Sequence, residues 1–123
     1  MATRGEVVDF LNLFKGCMTL ELWHVRDREK NRQGLIDLDI SPAERRDILM
    51  QLEPDDYSDG PKPDDTDDTK EVWEFGRSVE GVEVYIKLRV AQDPRRKTVC
   101  RALVWSFHPA EHALRYPFKG GRA

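Results

Sequence analysis

The sequence contains no apolar stretch near the roughly 18 to 20 residues needed to cross a bilayer. Its first residues, Met1 to Asp9, lack the basic start and apolar run of a secretory signal. Cysteine is scarce, with Cys17 and Cys100 the whole complement. Two thiols so far apart read as small buried hydrophobes in a reducing compartment, so we expect a cytoplasmic protein with no membrane partner. Also missing are a phosphate-binding P-loop, a dinucleotide fingerprint and any Cys/His cluster at metal-ligand spacing, which removes several enzyme classes and leaves no cofactor expected. No internal repeat is visible.

What is present suffices for a core. Hydrophobic residues make up 39% and charged residues 35% of 123, a length that fits a single domain, 1–123. The net charge of −3 conceals a segregation. Residues 53–71 hold nine acids and two bases, a local charge of −7, which leaves the remainder at +4. A mildly basic body thus carries an acidic segment.

Helical spacing of Val7, Val8, Leu11 and Phe14 predicts an amphipathic helix over Gly5 to Lys15. Thr19 to Val25 reads as a short strand, with helical continuation as the competitor. A second helix is expected over Arg28 to Leu38, although Gly34 costs it about 1 kcal/mol against alanine. Ser41-Pro42-Ala43-Glu44 is a capping box with proline at the first helical position, opening a third helix that runs to about Leu52. From Glu53 to Lys70 the three prolines, one glycine and absence of apolar periodicity predict a long solvated loop.

Beyond the loop the period becomes two. Val72-Trp73-Glu74-Phe75 reads as a strand and Glu80-Gly81 as a turn. Val82, Val84, Ile86, Leu88 and Val90 then alternate with Glu83, Tyr85, Lys87 and Arg89. Gln92 to Arg95 is a turn, Thr98 to Phe107 a third strand apolar on both sides, and 108–123 an irregular tail. The expected fold is α+β, with N-terminal helices packed on an antiparallel β-meander.

The polar face of the middle strand sets Tyr85 and Lys87 about 6 to 7 Å apart. Phenol and ammonium side by side suit an anionic substrate, the lysine holding a phosphate and lowering the tyrosine's proton affinity; an ordinary solvated strand face is the plainer explanation. His108, after the third strand, is a candidate acid or base. His108-Pro109-Ala110-Glu111-His112 matches the H-x-x-E-H string of inverted zinc peptidases, but Pro109 allows only a short helix there and no third ligand is apparent, so no metal is expected. The basic and aromatic residues of the second half, among them Arg89, Arg101 and Arg115, suit single-stranded RNA, against a pI near 5.6 that favours a merely solvated surface.

The order of motifs resembles a known family. Ile48-Leu49-Met50-Gln51-Leu52 ending a helix, then Glu53-Pro54-Asp55-Asp56-Tyr57, Val72-Trp73, Val84-Tyr85-Ile86-Lys87 and Val104-Trp105-Ser106-Phe107 resemble the MqsR toxins. These are ribosome-independent messenger-RNA interferases of bacterial type II toxin–antitoxin systems, with a RelE-like fold. The resemblance covers about residues 48–108. It implies a metal-independent endoribonuclease with RNA as substrate and a cognate antitoxin protein as partner, and it makes Tyr85 catalytic with Lys87 close by. The chain departs from the family pattern at Ser58, with Lys62 further on, at Glu74 and at His108. A metal-free ribonuclease needs a base for the 2′-hydroxyl, a cation for charge building on phosphorus and an acid for the departing 5′-oxygen. Glu74 or His108 fits the base, Lys87 with Arg101 the cation, and His108 or Tyr85 the acid. Arg89, Arg101, Lys62, Tyr57 and Arg115 are the expected RNA contacts. The acidic segment would repel RNA, so it either points away or mimics nucleic acid towards a basic partner. A non-catalytic protein-binding module on the same fold is the alternative.

Overall fold

The computed structural model describes residues 1–119. Helix α1 spans Arg4–Thr19, and the short strand β1, Trp23–Val25, follows it. Helices α2, Glu29–Leu38, and α3, Pro42–Met50, lead through a 3-10 turn at Pro54–Asp56 into β2, Tyr57–Pro63. Strands β3, Glu71–Val79, β4, Val82–Gln92, and β5, Cys100–Pro109, complete the element order. They build a five-stranded sheet in the order β1-β5-β4-β3-β2. Each of β2 to β5 runs antiparallel to its neighbours in that series, while β1 pairs with β5 in parallel. The class is α+β, and the expected meander is its antiparallel centre. Among the described residues no helix is long and apolar enough to cross a membrane.

Local chemistry explains the helix starts. The Ser41 hydroxyl accepts from the Glu44 amide at 3.1 Å, and the Glu44 carboxylate accepts from the Ser41 amide at 3.1 Å, the box expected from sequence. A second box, Thr3 with Glu6, opens α1 and explains its start at Arg4. Phe10 of α1 stacks on Trp73 with centroids 4.4 Å apart, while Val7, Leu11 and Phe14 join Phe75, Ile86, Leu88 and Val104 in one buried cluster. Each such large apolar side chain removed from water contributes roughly 1.5 to 3 kcal/mol.

Four expectations need correction. The first helix continues to Thr19, so the strand expected over Thr19 to Val25 shrinks to Trp23–Val25, and its parallel pairing with β5 makes the sheet mixed. The acidic segment 53–71 is not a loop throughout, because Tyr57–Pro63 forms β2. Its prolines are tolerated there because β2 is an edge strand with two register irregularities and need not donate to a second neighbour. Gly60, at φ +110°, lies against β3, where an added Cβ would sit 2.7 Å from the Val72 carbonyl oxygen. Outside β2 the segment keeps the 3-10 turn at Pro54–Asp56 and the turn 64–70 between β2 and β3. Third, His108 and Pro109 belong to β5 and not to the tail. Fourth, Tyr57, expected to contact RNA, is fully buried; its hydroxyl accepts from the Ala2 amide at 3.1 Å and donates to the Gly60 carbonyl, and its ring stacks on Phe118. The tail is anchored by that same Phe118 contact, and the last residues of the expected tail, 120–123, lie outside the described part.

Candidate functional site

The side of the sheet facing away from α1 carries a cleft of about 700 Å³. Its floor comes from the alternation of β4, whose Val84, Ile86 and Leu88 point into the core and leave Tyr85 and Lys87 on the other face. In register, Tyr85 lies opposite His108 and Lys87 opposite Ser106 on β5, with Lys87 opposite Glu74 on β3. The contribution of β5 depends on a bulge. Val104 and Phe107 are both fully buried although they are three positions apart, with two residues between them, which strict alternation forbids. The register shift between Lys87 and Leu88 adds Trp105 to β5, so Val104 and Phe107 both reach the core while Ser106 and His108 share the cleft with Tyr85 and Lys87.

One wall is the segment from β1 to α2, with Arg26, Arg28 and Lys30; the opposite wall is the β2–β3 turn, with Asp65 and Thr66. Residues 110–114 of the tail close the end. The placement of α2 follows from Asn31. Where β1 stops, Asn31 takes over the open edge of β5: its amide donates to the carbonyls of Trp105 at 3.1 Å and Arg26 at 3.0 Å and accepts from the Phe107 amide at 2.9 Å. Gly34 permits the approach, since a Cβ there would lie 2.7 Å from the Phe107 oxygen and 3.0 Å from His108 Cα.

The cleft joins all four expected catalytic residues, Glu74, Tyr85, Lys87 and His108. Their chemistry differs from expectation at Tyr85 and Lys87. The Tyr85 hydroxyl donates to Glu74 Oε2, and Lys62 Nζ holds the other Glu74 oxygen at 2.8 Å. Burial, this hydrogen bond and the nearby carboxylates push the Tyr85 phenol far above its usual value, the reverse of the lowering expected from Lys87. Lys87 does not act as an unpaired cation because its Nζ is 2.8 Å from Asp64 Oδ1, and that carboxylate is almost wholly buried. Burial alone would raise the Asp64 carboxyl, but hydrogen bonds from Lys87 and from the Thr66 hydroxyl and amide outweigh it and hold the carboxyl well below the usual range.

His108 is buried, its ring 5.6 Å from that of Tyr85. Its Nδ1 lies 2.9 Å from the Pro109 carbonyl oxygen. A carbonyl can only accept, so in the neutral ring the proton sits on Nδ1 and the lone pair on Nε2. Nε2 has no hydrogen-bond partner among the described residues. The string His108 to His112 forms no helix, and Glu111 is engaged by Lys30 at 2.9 Å. Among the described residues no group of three or more His, Cys, Asp or Glu side chains is disposed around a metal position.

None of the five expected RNA contacts lines the cleft. Lys62 reaches its margin through Glu74, Arg89 donates to the Glu71 carbonyl at 3.0 Å, and Arg101 is bound to Asp93 at 2.8 Å. Arg115 is exposed on the tail, and Tyr57 is in the core. Besides Lys87, the cations that do line it, Arg26, Arg28 and Lys30, are not marked out by the sequence. Arg26 lies over the Trp105 ring at 4.5 Å, and Arg28 Nη1 is 3.4 Å from Ser106 Oγ, with no carboxylate partner for either among the described residues. Only the parallel pairing of β1 brings them here, and nothing local encodes it. The Asp64-Asp65-Thr66 sequence did carry a signal, an Asp two residues before a Thr, which favours an ordered turn. Comparison of the chain with known families, with curated proteins and with solved structures finds no match in any of the three.

Proposed function

We propose that the cleft is the active site of a metal-independent endoribonuclease of the MqsR and RelE toxin type, acting in the cytoplasm and restrained by a partner antitoxin. The observation that carries this reading is the convergence of Glu74, Tyr85, Lys87 and His108 on one cleft beside Arg28. In this scheme His108 Nε2 takes the proton of the 2′-hydroxyl, and the 2′-oxygen bonds to phosphorus. The bond from phosphorus to the 5′-oxygen breaks, and the leaving oxygen takes the Tyr85 proton. The high proton affinity of Tyr85 keeps it protonated near neutral pH, as an acid for an alkoxide must be. Arg28 and Arg26 supply the charge for the phosphate, in place of the Lys87 and Arg101 pair expected from sequence.

A second reading, a non-catalytic binding module, draws on a specific observation: Lys87 with Asp64, and Tyr85 with Glu74 and Lys62, already satisfy one another. Expression in bacteria of the wild type beside His108→Ala, Tyr85→Phe and Arg28→Ala separates the two. The nuclease reading expects growth arrest and RNA cleavage in the presence of a chelator, lost in His108→Ala. A wild type that neither arrests growth nor cuts RNA leaves the binding module.

A further inference from the structure

The turn between β2 and β3 is bonded within itself: Asp64 N to the Lys70 carbonyl at 2.9 Å, Lys70 N to the Asp67 carbonyl at 3.0 Å, and Thr66 and Thr69 to the carboxylates of Asp64 and Asp67. Among the described residues, a single hydrogen-bonded contact ties residues 64–70 to any element outside their own hairpin, the ion pair of Asp64 with Lys87. The turn hangs on an edge strand whose ladder is interrupted twice. Its tip residues Asp65 and Thr66 line the cleft. A carboxylate of the chain therefore occupies the ammonium at the cleft floor, carried by a segment with little else to hold it there.

We propose that the Asp64 carboxylate is an internal stand-in for a ligand phosphate on Lys87, so that the β2–β3 turn and a phosphate-bearing ligand compete for one anion site. The site then comprises Lys87, Ser106 and Arg28, and its ligand class is the phosphate of an RNA backbone, which rests on the reading above. A phosphate that displaces Asp64 brings two oxygens to Lys87 and the nearby Arg28, while the freed Asp64 and its acidic neighbours move into water, where charge is well solvated. Binding of the ligand is weakened by the fraction of molecules in which Asp64 holds the site. The contact also gives the acidic turn a role beside a nucleic-acid cleft, where uncompensated carboxylates would repel the substrate.

The test is the binding of a fluorescent 2′-O-methyl oligoribonucleotide, which lacks the hydroxyl needed for cleavage, measured by anisotropy over a range of salt. Asp64→Asn is expected to bind on the order of tenfold tighter than the wild type, with a salt slope steeper by roughly 0.7 for one added phosphate contact. Asp68→Asn, an equal charge change on the same turn away from Lys87, should gain no more than about twofold. Thr66→Val, which alters no charge and only loosens the Asp64 carboxylate, should gain in the same direction by less. Inorganic phosphate should compete for Asp64→Asn if the site takes phosphate alone, and fail to do so if it needs the strand. Equal gains from Asp64→Asn and Asp68→Asn overturn the proposal, as does no gain in a folded Asp64→Asn. Should Asp64→Asn fail to fold, an unchanged affinity in Thr66→Val overturns it. A binding gain without any RNA cleavage would instead count against the nuclease reading and leave the anion site standing.

Discussion

Tyr85 and His108 face one another across the ladder of β4 and β5, their ring centroids 5.6 Å apart and their planes inclined by 46°. Each has its own polar partner, Glu74 for the phenol and the Pro109 carbonyl for the imidazole. The two are therefore positioned independently while sharing one cleft, an arrangement compatible with the acid and base roles proposed for them.

Removing the imidazole should affect turnover more than folding. His108→Ala is expected to lower cleavage by roughly 100-fold or more, with thermal unfolding close to wild type and the limb of the pH–rate profile that reports the base abolished. Cleavage within about threefold of wild type would remove His108 from the mechanism.

All three tyrosines hold their protons above the ordinary phenol value: Tyr57 and Tyr116 mainly by burial, Tyr116 also by donating to Glu83, and Tyr85 by burial and Glu74. Because the folded values lie above the unfolded ones, the native state binds more protons once pH passes about 10. Their contribution to stability is complete below that pH and falls as pH rises through it. An ultraviolet titration should show little phenolate at pH 10 in the native protein, against about half ionisation at that pH in urea. A native titration centred near pH 10 would contradict the buried hydrogen-bonded tyrosines.

The acid limb carries the opposite sign. The folded Asp64 carboxyl is depressed, so its stabilisation is present above the unfolded value of about 3.9 and is lost as pH falls towards the folded value. Asp93, depressed by Arg101 and by the Arg95 and Arg96 amides, acts in the same direction. Asp64→Asn should flatten the fall of Tm between about pH 4 and pH 2 without removing it. An identical acid limb in the variant would show that the Lys87 pair does not form in solution.

Asn31 replaces a missing strand, and Asn31→Ala leaves the Phe107 amide and the Trp105 and Arg26 carbonyls without their partner. A loss of about 3 kcal/mol is expected in urea unfolding, given about 1 to 3 for each stranded buried group with some recovered by water. Asn31→Asp should be as damaging, since it turns a donor to two carbonyls into an acceptor.

Gly34→Ala places a methyl 2.7 Å from the Phe107 oxygen, where backbone must move. We expect about 1 to 3 kcal/mol of destabilisation and, on the proposed nuclease reading, slower cleavage, because the same methyl meets His108 Cα at 3.0 Å. Gly16→Ala, with nothing within 4 Å of its Cβ, is the matched control and should be neutral or stabilising.

The meander was legible because alternation along Val82 to Val90 fixes which side chains share a face, whatever the rest of the chain does. Capping at Ser41 was legible for the same local reason. The strand Tyr57–Pro63 was not, because its prolines and acids carry a loop composition and only the neighbouring β3 makes it a strand. Nor was the bulge at Trp105, which turns Ser106 and His108 to the cleft side while Val104 and Phe107 stay in the core.

By itself, then, the sequence determined the faces of its helices and strands and the identity of Glu74, Tyr85, Lys87 and His108 as chemically capable groups. Tertiary structure decided that these four meet, that Arg26 and Arg28 join them through the parallel pairing of β1, and that Asp64 has taken Lys87. Periodicity and caps depend on residues a few positions apart, so they are written locally. Strand register and ion pairing are settled by a competition among distant partners, and only the folded chain records which of them prevails.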